Sequence, residues 1–206
     1  GLRIHYSWDC GSLFDDDYLD VYLTHLEEAA MFGPSTICRV VIDTQRIKSR
    51  KTPLDYTDEE QLIIQERINK VMELAEQLGI VLAFENAFES LTGFRELLAK
   101  NSKMCMTLDT ANFLNKAQQK QIFEGEQIMT FFRENCNRIP YVHIKSTKNN
   151  VLWDMVIKEG DFNWKPFLQE FSSWACIELP AGDDFANCKD RILASREVIQ
   201  DMRQEV

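Results

Sequence analysis

The stretch Gly79-Ile80-Val81-Leu82-Ala83-Phe84-Glu85-Asn86 decides how the chain is read. Behind it, Thr57-x-x-Glu60 is a capping-box signature, and Ile64, Ile68, Val71, Ala75 and Leu78 then fall on one helical stripe that Gly79 closes. An uninterrupted apolar run follows and ends in a carboxylate. A strand without polar alternation is buried on both faces, as in a parallel sheet covered by helices. Working outward, the same unit recurs. Residues 16–32 read as a helix with Leu19, Tyr22, Leu23, Leu26, Ala29 and Ala30 on one face, ended by Gly33-Pro34. Strands are predicted over 2–8, 37–43, 80–85, 104–109, 141–145 and 175–179. Further helices are predicted over 91–100, 118–135, 164–171 and 190–203, with loops over 44–56 and 147–163. Strands that alternate with crossover helices give a parallel α/β sheet, either doubly wound or closed as a (β/α) barrel. Neither G-x-G-x-x-G nor G-x-x-x-x-G-K-[ST] occurs, which weakens the nucleotide-binding open sheet. No linker divides residues 1–206, so one domain is expected.

Composition narrows the function classes. At 206 residues the chain can bury a core without disulfide staples. A formal net charge of −10 argues against a general nucleic-acid binder, and no run of about 18 apolar residues marks a membrane span. The six cysteines (Cys10, Cys38, Cys105, Cys136, Cys176 and Cys188) lack C-x-x-C spacing. They are expected to be reduced, buried thiols of a cytoplasmic protein.

The chemistry lies at the strand ends. Four predicted strands in succession lead into Glu85, Asp109, His143 and Glu178. A single acid after a strand is most often a helix N-cap, and Asp109 before Thr110-Ala111 fits that role. Four such ends in a row are harder to assign to caps, because a buried carboxylate is costly unless paired. In a parallel barrel all four ends point to one face, where active sites are built. Three carboxylates and an imidazole form a hard donor set suited to one divalent ion: Mn, Mg, Co or Zn.

The ordered segments Val81–Asn86 (VLAFEN), Thr107-Leu108-Asp109-Thr110, Tyr141-Val142-His143-Ile144-Lys145 and Cys176-Ile177-Glu178-Leu179-Pro180 resemble the xylose-isomerase-like TIM barrels. That family includes sugar and sugar-phosphate isomerases and epimerases and the endonuclease IV enzymes. The stretch Lys158-Glu159-Gly160-Asp161-Phe162-Asn163-Trp164 looks like its Gly-containing turn. The resemblance begins at the family's third strand. It implies a TIM (β/α) barrel lacking the first two strands in this chain, a single domain over 1–206 that is incomplete at its N-terminus. The first residue, Gly1 rather than Met, favours that expectation. An open barrel edge also invites pairing with a second copy, so a homo-oligomer is an expectation.

The resemblance implies that Glu85, Asp109, His143 and Glu178 hold the metal and that Glu85 and Glu178 move protons. The activity implied is isomerisation or epimerisation of a small sugar or sugar phosphate, a carbohydrate-metabolism step. It proceeds by proton abstraction next to a carbonyl through a metal-held enediolate. Candidate substrate-binding residues are His5, Trp8, Asn112 and Lys145. Trp8, Phe88, Phe113 and Trp153 are candidate aromatic walls. Some family positions differ: Asp109-Thr110-Ala111-Asn112 replaces Asp-x-x-His, Ser146 follows Lys145 where Asp is frequent, strand 37–43 ends in Asp43 rather than His, and residues 147–150 contain no Arg. These differences keep a ligand-binding, non-catalytic barrel as the alternative. A related DNA-repair nuclease draws on several histidines, and this chain has only His5, His25 and His143. His25 is expected to be a surface or packing residue and Asp15-Asp16-Asp17 a helix cap.

Overall fold

A computed structural model describes residues 5–7, 12–13, 16–42, 57–87, 89–115, 123–153, 157, 160–178 and 185–204. The chain divides into two compact units, Gly1–Thr107 and Leu108–Val206.

In the first unit, β1 (His5–Ser7), β2 (Ile37–Val40), β3 (Val81–Glu85) and β4 (Cys105–Asp109, whose last two residues belong to the second unit) lie in that order and run parallel. The helices between them are α1 (Asp16–Ala30), α2 (Asp58–Leu78) and α3 (Leu91–Lys100). The capping box at α2 forms as expected. The Thr57 hydroxyl accepts from the Glu60 amide at 3.2 Å, and the Thr57 amide donates to the Glu60 carboxylate at 2.9 Å. Gly79, at φ 69°, supplies the left-handed C-cap. The buried stripe of α2 is Ile64, Ile68, Val71 and Ala75, while Leu78 is half-buried. It faces Tyr22, Leu26 and Ala29 of α1, as the periodicity predicts. The Tyr22 hydroxyl donates to the Val41 carbonyl, tying α1 to the end of β2.

In the second unit, β5 (Tyr141–Ile144) pairs in parallel with β8 (Trp174–Ile177). Helices α4 (Thr110–Leu114), α5 (Gly125–Asn135), α6 (Trp164–Glu170) and α7 (Phe185–Gln204) complete it. Its core is aromatic. Phe132 packs on Phe167 at 4.5 Å between ring centroids, Phe162 on Trp164 at 4.8 Å, and Phe113 edge-on to Phe131 at 6.0 Å.

Several expectations are corrected. Residues 147–163 are not simply a loop: β6 (Ser146–Lys148) and β7 (Val151–Trp153) form an antiparallel hairpin. Asn149 and Asn150, at φ 55° and 59°, make its two-residue turn, which suits Asn because its short polar side chain tolerates the left-handed region. Of the helix expected over 118–135, the described helix α5 starts at Gly125, with the Glu124 amide donating to the Gln127 side chain, and 118–122 lie outside the described residues. Gly125 therefore lies in the first turn, not mid-helix. The closing helix starts five residues before its predicted start, at Phe185 rather than Asp190. Cys38 is buried, and burial pushes its thiol up to about 12, but Cys105, Cys176 and Cys188 are only half-buried and Cys136 is exposed, so among the described cysteines the expectation of buried thiols holds for Cys38 alone. Cys10 lies outside the described residues. No described helix is long and apolar enough to cross a membrane.

Tyr6 joins β1 to α1. Its hydroxyl donates to Glu28 at 2.6 Å and lies 2.7 Å from His25 Nδ1, so His25 packs as expected. Burial and then the Glu28 carboxylate push the Tyr6 phenol from 10.0 up to about 12. A raised folded-state value means the stabilisation is complete below the unfolded value and is lost as pH rises through the folded one. Stability should therefore fall between about pH 10 and 12. Urea unfolding across that range should show a shallower decline in Tyr6→Phe than in the parent. An identical decline in both proteins contradicts the assignment.

Candidate metal centre

The second unit gathers Asp109, His143, Lys145 and Glu178. Asp109 ends β4 and is completely buried. His143 sits in β5 opposite Cys176, and Ile144 opposite Ile177. The Glu178 amide then donates to the Ile144 carbonyl at 3.0 Å. The pairing thus continues one step past both strands, and Lys145 and Glu178 leave the sheet side by side. His143 and Lys145, two residues apart on an extended chain, share a face. One ligand atom from each of Asp109, His143 and Glu178 lies within 4.8 Å of the others.

Internal bonds knit these groups together. Lys145 Nζ donates to Glu178 Oε1 at 2.8 Å and to Asp109 Oδ2 at 3.5 Å. His143 Nδ1 lies 2.8 Å from Glu178 Oε2. Asp109 Oδ1 accepts the Asn112 amide at 3.1 Å, so Asp109 is also the N-cap of α4. The cap reading of this residue holds, and its second oxygen faces the Lys145 ammonium.

The electrostatics follow from burial and these contacts. Burial raises the Asp109 carboxyl above its ordinary value, and Lys145 and His143 only partly reverse that. Burial works the same way on Glu178. There, however, the His143 hydrogen bond and the Lys145 charge outweigh it and hold the carboxyl at about 2. Lys145 is raised: burial disfavours its charge, but Asp109 and Glu178 together favour it more. Glu178 is therefore an anion and Lys145 a cation at neutral pH.

In the first unit, Glu85 ends β3 and is buried. Its partner is the buried guanidinium of Arg39, which also donates to Ser7 Oγ at 3.3 Å. Arg39 pairs in register with Ala83, two residues before Glu85. The two side chains therefore project from the same face. Arg39 was missed in the sequence, though a signal existed: it is the one charged residue within Ile37-Cys38-Arg39-Val40-Val41-Ile42. A charge inside such a run requires a partner.

The remaining expected site residues fare unevenly. Asn112 is buried in α4, and its backbone amide donates to the capping Asp109 carboxylate. The backbone of His5 pairs with Ile37, but its side chain is outside the described set. Trp8, Asp15, Asp43 and Phe88 fall outside the described residues, as do the side chains of Asp16 and Trp153. Phe113 is fully buried against Phe123 and Phe131, which makes it core and not a pocket wall.

A family model described as xylose isomerase-like TIM barrel matches residues 10–202. No curated protein matches the sequence significantly. Among solved structures, a probable 3-DHS dehydratase of petrobactin synthesis from Bacillus anthracis is 17% identical at a TM-score of 0.71, covering 96% of this chain and 76% of that one. A xylose isomerase-like TIM barrel protein from Mycobacterium smegmatis, in complex with magnesium, is 14% identical at 0.71, with 98% and 74% covered. D-allulose 3-epimerase from a Methylomonas species, in complex with D-allulose, is 12% identical at 0.65, with 98% and 77% covered. At these identities the likeness is one of fold.

Removing one member of a buried ion pair typically costs about 3–5 kcal/mol, because the other charge stays buried. Arg39→Met should therefore lower the unfolding free energy by about 3 kcal/mol or more, read from urea titration. A loss within about 0.5 kcal/mol, as for an ordinary surface change, contradicts the pairing.

Proposed function

Since the chain belongs to the xylose isomerase-like TIM barrel family, we propose that it is a divalent-metal-dependent isomerase or epimerase of a small sugar or sugar phosphate. In this reading Glu85, Asp109, His143 and Glu178 hold one ion, and Glu85 and Glu178 exchange the proton with the substrate. The observation that carries it is the donor set of Asp109, His143 and Glu178, three hard oxygen and nitrogen ligands within 4.8 Å of one another. The chemistry of that set fits Mg²⁺, Mn²⁺, Co²⁺ or Zn²⁺, and in this reading the ion takes the place that Lys145 Nζ occupies around the two carboxylates, with His143 kept as a ligand. The structural relatives bound to magnesium and to D-allulose support the same reading.

A divalent ion in this set supplies Lewis acidity, polarising a carbonyl and its neighbouring hydroxyl so that the C–H between them loses its proton more easily. The protein's groups do the rest. Glu178, ionised at neutral pH, accepts that proton, and Glu85, entering the step as the neutral carboxylic acid, gives its proton to the resulting enediolate and is left as the carboxylate that pairs with Arg39; for the reverse epimer the roles exchange. Lys145 and Arg39 supply positive charge for substrate oxygens. Asn112, His5 and Trp8 are the further substrate contacts of this reading. A dehydratase, the activity in the Bacillus anthracis relative's name, begins with the same proton abstraction and is the second reading.

The test is solvent-deuterium exchange. Candidate ketoses incubated with protein and Mn²⁺ in D₂O should gain deuterium next to the carbonyl, and chelator should stop it. Glu178→Gln should slow exchange by about 10²–10⁴-fold, the usual contribution of a positioned acid–base group. Full exchange in the variant contradicts the role of Glu178. Loss of water in place of exchange selects the dehydratase, and no reaction with any metal favours a binding barrel.

A further inference from the structure

We propose that Lys145 is a built-in counter-cation, holding the ligand carboxylates in the metal-free protein and giving them up when a divalent ion binds. This rests on the metal-site reading above and adds to it how the site is loaded.

Three observations in the second unit support it. First, both carboxylates of the set bond to the same ammonium, Glu178 at 2.8 Å and Asp109 at 3.5 Å. Their other oxygens are engaged too: Asp109 Oδ1 by the Asn112 amide, and Glu178 Oε2 by His143 Nδ1. While Lys145 Nζ lies between these oxygens, its positive charge opposes a divalent ion in the same place. Second, Asp109 is completely buried, so without an ion its charge needs a protein cation close by, and Lys145 is bonded to its outer oxygen. Third, the backbone beside Lys145 is fixed. Residues 146–148 begin the β6–β7 hairpin, and the Asp161 carboxylate accepts both turn amides, Asn149 at 3.0 Å and Asn150 at 2.8 Å. The Asp161 amide donates back to the Thr147 carbonyl at 2.7 Å. Gly160 lies so close that a Cβ there would sit 2.8 Å from Ser146 Cβ. With the backbone clamped, the exchange is confined to the lysine's four-carbon stem, whose torsions can swing Nζ away from the carboxylates without moving a strand. The released ammonium stays beside the site, where an electron-rich substrate oxygen can take it up.

The direct test labels the lysines with ¹⁵N and follows the Nζ signals in full-length protein titrated with Mg²⁺, while calorimetry measures binding. Metal-free protein should show one exchange-protected Nζ signal that is absent from Lys145→Met. That signal should be lost as Mg²⁺ saturates. In Lys145→Met, Mg²⁺ should bind about tenfold or more tightly than in the parent, the scale of one charge-assisted hydrogen bond, while the metal-free variant melts earlier. A charge that merely repelled the ion from nearby would also improve binding on removal, but would leave the metal-free melting temperature unchanged. Should Lys145→Met not fold, Lys145→Arg serves: its bidentate, persistently charged fork should weaken Mg²⁺ binding. Calorimetric binding with the protected signal intact overturns the exchange and leaves the metal site standing. No Mg²⁺ binding in either the parent or a folded variant overturns the metal reading itself.

Discussion

A carboxylate at the buried end of a strand needs a positive charge beside it, and this requirement organises both units of the protein. In the first, Glu85 ends β3 and is met by Arg39, which projects from the neighbouring strand on the same face. In the second, Asp109 and Glu178 share Lys145, and His143 closes the other side of Glu178. Neither arrangement adds much stability by itself, since desolvation cancels most of the attraction of a buried pair. Their persistence at strand ends is better understood as keeping charged groups available inside a low-dielectric setting, where ions and polarised substrates interact strongly.

The scaffold supplies rigidity where the chemistry needs it. Parallel pairing of β5 with β8 brings His143, Lys145 and Glu178 to one end, and the hydrogen bond from the Glu178 amide to Ile144 continues that register beyond the strands. Asp109 is fixed by its second role as the cap of α4. In the core of the second unit the rings of Phe132, Phe162, Trp164, Phe167 and Phe171 pack against one another, and such dense packing resists backbone shifts. The parts free to move are therefore side chains with long stems.

How much of this could be read from the sequence depended on whether the signal was local. The start and end of α2 were legible because Thr57, Glu60 and Gly79 each act within one turn of themselves. Glu85, Asp109, His143 and Glu178 were legible because each follows an apolar strand, where a polar side chain stands out. The β6–β7 hairpin was not, because its short strands lack alternation and its stabilising carboxylate, Asp161, lies eleven residues or more beyond the turn. The start of α5 was not legible because it is set by the hydrogen bond from the Glu124 amide to the Gln127 side chain, which the helix-favouring composition around it does not reveal. Arg39 was overlooked because its meaning depends on Glu85, forty-six positions away, which periodicity cannot show.

The account as a whole depends on Asp109, His143 and Glu178 sharing one ion. The most direct measurement is anomalous diffraction from crystals soaked in Mn²⁺. The account predicts one strong peak about 2.1 Å from a carboxylate oxygen of Asp109, a carboxylate oxygen of Glu178 and a ring nitrogen of His143. A peak elsewhere on the protein, or none at saturating Mn²⁺, would contradict it.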